Sequence, residues 1–247
     1  TIGILINNIF FNKIKLNRNN WKFILLFGIC QNTLYLGLNF LAMDKIDAYL
    51  AVIVASLLPV FVAIISFFLR IDKLHFLSVI GIIVGFLGCS IILAPKITVN
   101  LNLYGLSLCL IAVIALAMAT LIIKDGFSNK EQLLPFVSIQ MIVGGLPLLL
   151  LSFLFEEWVI NFSNSFIIAF IYTCFFPGLI ATMIWFNLVK RIGVIMASSF
   201  HFLTPPTGVI IAYIVLNERI NINDIIGIIF ITIALTIIHQ AKKKAKN

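Results

Sequence analysis

Long apolar runs alternate with short polar segments along almost the whole chain. Eight runs reach the length of about 20 residues that a helix needs to cross a hydrocarbon core about 30 Å thick. They predict membrane-spanning helices at residues 22–42, 46–69, 75–94, 103–122, 132–155, 166–188, 193–216 and 222–239. A shorter run at 1–11 has neither the basic start nor the cleavage site of a signal peptide, and we interpret it as the tail of a truncated helix.

The composition agrees with this pattern. Hydrophobic residues make up 62% of the chain and charged residues 11%, and the mean hydropathy is +1.16. A soluble domain has only about 45–50% apolar residues. We therefore expect an all-α integral membrane protein with no soluble domain.

The net charge of +8 is distributed unevenly between the predicted loops. If the C-terminal tail is cytoplasmic and the spans alternate, 14 of the 17 Lys and Arg residues lie on the cytoplasmic side. The exceptions are Lys45, Lys96 and Arg219. This is the bias of multi-pass membrane proteins, so we expect a cell-membrane protein with a cytoplasmic C-terminus and no nucleic-acid partner. The abundance of Ile, Phe, Asn and Lys favours a bacterial inner membrane.

A proline, an acid, a base and a glycine recur in the same order and spacing in two segments 146 residues apart. The first set is Pro59, Asp72, Lys73 and Gly81, and the second set is Pro205, Glu218, Arg219 and Gly227. The helices around the two sets also correspond, which predicts two repeats at 1–98 and 99–240, followed by a basic cytoplasmic tail at 241–247. Each repeat has five helices, an odd number, so the second repeat enters the membrane from the opposite side.

The segment LVKRIGVIMASSFHFLTPPTGVIIAYIVLNERI at 188–220 resembles the EamA-type family of the drug/metabolite transporter superfamily. The resemblance covers essentially the whole chain. It implies a ten-helix bundle of two inverted five-helix repeats around a central cavity, here without the first helix and most of the second. Members of this family are often exporters of amino acids or other small metabolites. The chain departs from the family in carrying Asp72 where Glu is usual.

Polar side chains inside the membrane tend to face a cavity or a neighbouring helix, and several share helix faces here. We expect ten residues on four helices to line a substrate pathway. They are Asn32, Tyr35, Asn39, Ser56, Pro59, Trp185, Ser198, His201, Thr204 and Pro205. The alternative for Asn32, Tyr35 and Asn39 is hydrogen bonding between helices.

Two of these residue types have specific chemistry. His201 is either a protonatable group on the pathway or a neutral imidazole bonded to a neighbouring helix. Pro59 and Pro205 remove backbone donors and predict a kink or hinge at the same place in both repeats, where Ser56 and Thr204 can bond the freed carbonyls. Trp185 lines the pathway or packs within the bundle.

Two charged pairs, Asp72 with Lys73 and Glu218 with Arg219, follow the two proline-containing helices. They are expected on opposite faces of the membrane, where they can stabilise a gate. The alternative is a pair of solvated interfacial contacts that contribute little.

These features favour a transporter that moves small metabolites, plausibly amino acids, by alternating access. The alternatives are a non-transporting membrane scaffold or assembly subunit, and a transporter of nucleotide sugars. The chain has no phosphate-binding glycine loop, zinc motif or nucleophile elbow, so we expect no enzyme, metal or cofactor. The expected partners are membrane lipids and a small solute, and the architecture is compatible with a homodimer.

Overall fold

The computed structural model describes residue 4 and residues 18–72, 74–96, 102–126, 133–157, 162–217 and 219–244. All regular structure in these ranges is helical, which confirms the predicted fold class. Among the described residues, eight helices are long and apolar enough to cross a membrane. They are α1 (Trp21–Met43), α2 (Tyr49–Phe68), α3 (Phe76–Leu93), α4 (Leu103–Lys124), α5 (Leu133–Phe155), α6 (Asn164–Ile192), α7 (Val194–Val215) and α8 (Ile222–Lys244).

Burial differs strongly among these helices. In the most apolar window of α4, 61% of the residues are buried, whereas the corresponding share of α6 is 6%. Helix α4 packs against α1 and α2, and its buried face includes Cys109, Ala112 and Thr120. Helices α1 and α2 therefore cover α4, while α6 is the least buried of the eight spans.

Helix α2 is broken before its proline. It consists of one α-helical segment at Ala48–Ala55 and a second at Leu58–Phe68, with a turn between them. Pro59 occupies the first turn of the second segment. A proline is tolerated there because the first N–H groups of a helix have no intrahelical acceptor.

Helix α7 is broken in the same way. The segment Val194–Ser199 is followed by a 3-10 segment at Phe200–Leu203 and a new α-helix at Thr204–Leu216. Pro205 lies in the first turn of this new helix. The backbone carbonyls that face the prolines therefore need other donors, because lipid supplies none.

Helices α1 and α6 each contain a wider π-helical segment. It spans Ile29–Leu36 in α1 and Cys174–Ile180, which includes Pro177, in α6. Such segments are rare and are often found at functional sites.

Helices α3 and α8 pack against each other through glycines. A Cβ atom added to Gly81 would lie 3.0 Å from the Ala234 carbonyl oxygen, and one added to Gly88 would lie 2.9 Å from the Gly227 carbonyl oxygen. The two helices are antiparallel, because the contacts move toward the start of α8 as α3 advances. We call these contacts the glycine seam.

A second close contact joins α1 to α5. Gly28 and Gly144 lie backbone to backbone, and a Cβ atom on Gly28 would lie 2.6 Å from the Gln140 carbonyl oxygen. Nearby, the buried rings of Phe27 and Phe186 stand 4.8 Å apart between their centroids, edge to face. These contacts connect α1 to both α5 and α6.

We expect Gly144→Ala to destabilise the protein by about 1–3 kcal/mol, because the added methyl overpacks the contact with Gly28 and Asn32. Its Cβ would lie 2.7 Å from the Cβ of Asn32. Gly145→Ala is the matched control, since nothing lies within 4 Å of a Cβ at that position. Thermal unfolding of the purified protein in detergent measures the difference. Equal stability of the two variants would contradict the close packing of α1 on α5.

Candidate functional site

The two helix breaks approach each other at α3. The thiol of the buried Cys89 donates a hydrogen bond to the Phe202 carbonyl at 3.7 Å, and Ser56 of the α2 break lies close enough to interact with the same thiol. The Phe202 ring packs on Gly85, where a Cβ atom would lie 2.5 Å from it. A single turn of α3 thus contacts both breaks.

The freed carbonyls of α7 have identifiable donors. The Thr204 N–H bonds the His201 carbonyl, and Cys89 bonds the Phe202 carbonyl. The Thr207 hydroxyl donates to the carbonyls of Leu203 and Thr204, both at 2.9 Å. Cys89 and Thr207 were not predicted to act here. Their role depends on contacts that the sequence pattern does not reveal.

His201 and Trp185 lie side by side. Their ring centroids are 5.2 Å apart and the rings are nearly perpendicular, at 86°. His201 comes from the 3-10 segment of α7 and Trp185 from α6, and both are partly buried. An edge-to-face pair of this kind presents an apolar ring and a polar nitrogen at the same place.

A small groove lies on the neighbouring turn of α6. Ile184, Asn187, Leu188 and Arg191 line a cavity of about 370 Å³. The Asn187 amide donates to the Met183 carbonyl at 3.0 Å and leaves its side-chain oxygen facing away from that bond. The groove combines an apolar wall, an amide and one cation.

The predicted serines of the pathway are bonded within their own helices. Ser56 donates to the Ile53 carbonyl at 2.6 Å, and Ser198 donates to the Ile195 carbonyl at 2.9 Å. Both side chains are buried, whereas Thr204 is exposed.

The predicted stripe on α1 faces other helices. Asn32 donates to the side-chain oxygen of Gln140 at 2.7 Å, and Asn39 donates to the Tyr35 carbonyl at 2.8 Å. The Cys109 thiol contacts the Asn39 side-chain oxygen at 3.5 Å. In this arrangement the amides join α1 to α4 and α5.

Gln140 was missed by sequence reasoning. It is fully buried on α5, and its side-chain nitrogen has no hydrogen-bond partner among the described residues. A glutamine within the apolar run PFVSIQMIVGG was the available signal.

The charges at one end of the bundle surround Asp72. Lys124, at the end of α4, approaches the Asp72 carboxylate at 3.7 Å and donates to the Ile71 carbonyl. A Cβ atom on Gly193 would lie 2.8 Å from the same carboxylate and 3.5 Å from the Lys242 ammonium nitrogen. We call the end of the bundle that carries Asp72, Lys124 and Lys242 the basic end. Asp72 thus contacts the loop between α6 and α7 as well as α4.

The other predicted gate charges are placed differently. Arg219 is exposed before α8, and Lys73 and Glu218 lie outside the described residues. The partner of Asp72 among the described residues is Lys124, which is distant in the sequence.

The sequence matches a family model described as the EamA-like transporter family, over residues 1–94 and 103–240. A solved crystal structure has the same fold, with a TM-score of 0.79 at 17% identity. The similarity covers 97% of this chain and 83% of the other.

Two relatives have related sequences. An uncharacterized transporter of Bacillus subtilis (strain 168), YvbV, is 23% identical over 93% of this chain and 75% of its own length. A chloroplastic WAT1-related protein of Arabidopsis thaliana is 25% identical over 90% of this chain and 55% of its own length. The eight spans, the shared fold and the family match over most of the chain lead to one conclusion. The chain belongs to the EamA-like transporter family of the drug/metabolite transporter superfamily, and it is a multi-pass membrane transporter and not an enzyme.

Proposed function

We propose that the protein moves a small metabolite by alternating access between two repeats, residues 1–98 and 99–240, that have opposite orientations. The observation that carries the proposal is the glycine seam. At the repeat offset of 146 residues, Gly81 corresponds to Gly227 and Gly88 corresponds to Ala234. The contact of Gly81 with Ala234 therefore has its counterpart in the contact of Gly227 with Gly88. A pseudo-two-fold axis between α3 and α8 explains why both contacts occur.

Two further features support the same relation. Ser56, at the break in α2, corresponds at the same offset to Phe202, at the break in α7. The π-helical segments of α1 and α6 also overlap at this offset. Inverted repeats give two related packings, one open to each side of the membrane, which suits a transporter better than a scaffold.

The pathway in this proposal passes the α7 break. His201, Trp185 and the groove that ends at Arg191 offer aromatic, amide and cationic contacts. These contacts fit a small zwitterion such as an amino acid, whose carboxylate pairs with one arginine. A nucleotide sugar carries more negative charge than the single arginine of the groove can neutralise. The bonding of Asn32 and Ser198 within the bundle favours a structural role for these two residues.

The proposal assigns the basic end to the cytoplasm, because Lys and Arg residues are enriched in the cytoplasmic loops of membrane proteins. Here Asp72 links the end of α2 to α4 and to the loop at Gly193. We propose that these contacts hold the cytoplasmic side closed. Export is the direction that the family resemblance favours.

Transport by the full-length protein in vesicles tests the pathway. With a panel of amino acids and related metabolites, we expect His201→Ala and Trp185→Phe to reduce the initial rate for the transported solute by about tenfold. One lost contact of about 1.4 kcal/mol corresponds to that factor. The matched controls are His239→Ala and Trp21→Phe, because both residues are exposed at the bundle surface.

Two outcomes would overturn the pathway assignment. One is a wild-type rate in both site variants. The other is an equal loss in the site variants and their controls. Failure of the wild-type protein to move any solute of the panel would favour the scaffold.

Loss of the Asp72 contacts is expected to open the basic end. We expect Asp72→Asn to speed maleimide labelling of a cysteine placed at Ser78, which lines the cavity there, by up to about fivefold. The bound is small because partly exposed ion pairs contribute about 0–1 kcal/mol. Cys174, the exposed native cysteine, is replaced by serine throughout. Asp44→Asn is the control, since Asp44 is exposed after α1. Unchanged labelling in Asp72→Asn would rule out the closing role.

A further inference from the structure

A large cavity opens at the basic end, and neither His201 nor Trp185 lines it. Its volume is about 1150 Å³, and the ends of α2, α3, α4, α7 and α8 surround it. The transport proposal uses the Asp72 contacts at this end but assigns no ligand to the cavity. Its lining is unusual in joining strong positive charge to a wide apolar wall.

The electrostatics of the cavity favour an anion. Among the described residues, three cations, Arg70, Lys124 and Lys242, line it together with one acid, Asp72. Asp72 approaches Lys124 at 3.7 Å, so it offsets part of the charge and leaves a positive excess. The N-terminus of α3 also faces the cavity through Ser78, and its first turn carries no side-chain cap. The helix dipole therefore adds to the positive potential.

A buried hydrogen-bonding group points to the same ligand. The Nε2 atom of His75 is buried and has no partner among the described residues. His75 lines the cavity and precedes α3 directly. A buried imidazole nitrogen without a partner is costly, and a protonated Nε2 can donate a hydrogen bond to an oxygen-rich anion that reaches it.

The apolar wall shows what else the ligand carries. Phe67 and Phe68 line the cavity and are 61% and 78% exposed, so it opens toward the lipid-facing side of the bundle. Ile195, Met196 and Ile238 line its inner side. Of the 14 lining residues that the structure describes, eight are apolar, which suits acyl chains and not a small, fully hydrated anion.

We propose that this cavity binds the head group of an acidic phospholipid from the adjacent leaflet. The phosphate lies among Arg70, Lys124, Lys242 and His75, and the acyl chains follow Phe67 and Phe68. Basic pockets between helices at the membrane surface favour such head groups. The site does not depend on the transport proposal.

Native mass spectrometry of the purified full-length protein in detergent tests the site. The probes are dioleoyl phosphatidylglycerol, dioleoyl phosphatidylcholine and glycerol 3-phosphate. We expect phosphatidylglycerol to bind at least about tenfold more tightly than phosphatidylcholine, and glycerol 3-phosphate not to displace it.

Variants locate the binding. Lys242→Gln and Arg70→Asn should each weaken phosphatidylglycerol binding by about fivefold, the usual effect of one cation near an anionic lipid. Asparagine suits position 70 because Arg70 has a left-handed φ of 54°. Lys244→Gln is the matched control, since it removes the same charge two residues away and does not line the cavity.

Three results would overturn the proposal. Equal binding of the two phospholipids would show that charge plays no part. Equal weakening by Lys242→Gln and Lys244→Gln would mean diffuse attraction instead of a site. Displacement of the lipid by glycerol 3-phosphate would identify the site as one for a soluble anion. None of these results bears on transport, which the His201 and Trp185 variants measure separately.

Discussion

The close antiparallel packing of α3 on α8 is the contact on which the rest of the structure depends. Without side chains at Gly81, Gly88 and Gly227, the two backbones approach to the distance at which packing and weak polar contacts hold helices in lipid. The same seam joins the last helices of the two proposed repeats. Any change in the tilt of one repeat against the other must turn about this seam or break it.

A second constraint is that lipid offers no hydrogen bonds to the backbone. The break in α7 is therefore stabilised by nearby groups that bond its exposed carbonyls, and at the break in α2 the Ser56 hydroxyl bonds the Ile53 carbonyl. Cys89 of α3 donates a hydrogen bond to the Phe202 carbonyl, so the helix that forms the glycine seam also stabilises the break in α7. The irregular segments and the seam are thus one connected unit. His201 and Trp185 lie at its edge, where a small rearrangement of α7 changes their contact.

The sequence predicted the elements that depend on local pattern. Apolar runs located all eight spans to within a few residues, apart from α6 and α8, which continue to Ile192 and Lys244. The prolines marked the positions where α2 and α7 restart. Contacts between helices that are far apart in the sequence were not predictable. If a helix turned about its axis by one residue position, each of its side chains would contact different residues of the neighbouring helices. The bond from Asn32 to Gln140 and the contact of Asp72 with Lys124 are of this kind. Cysteines scattered in apolar runs suggested packing alone, and only the fold shows Cys89 as a donor.

The central claim is that two related halves face opposite sides of the membrane. Arg70 and Asn217, both with φ of 54°, follow the proline-containing helices of the two halves. The most direct measurement is labelling of Arg70→Cys and Asn217→Cys with a membrane-impermeant maleimide, in right-side-out and inside-out vesicles. With Cys174 replaced by serine, we expect position 70 to react only from the cytoplasmic side and position 217 only from the other side. Labelling of both positions from the same side would contradict the inverted arrangement.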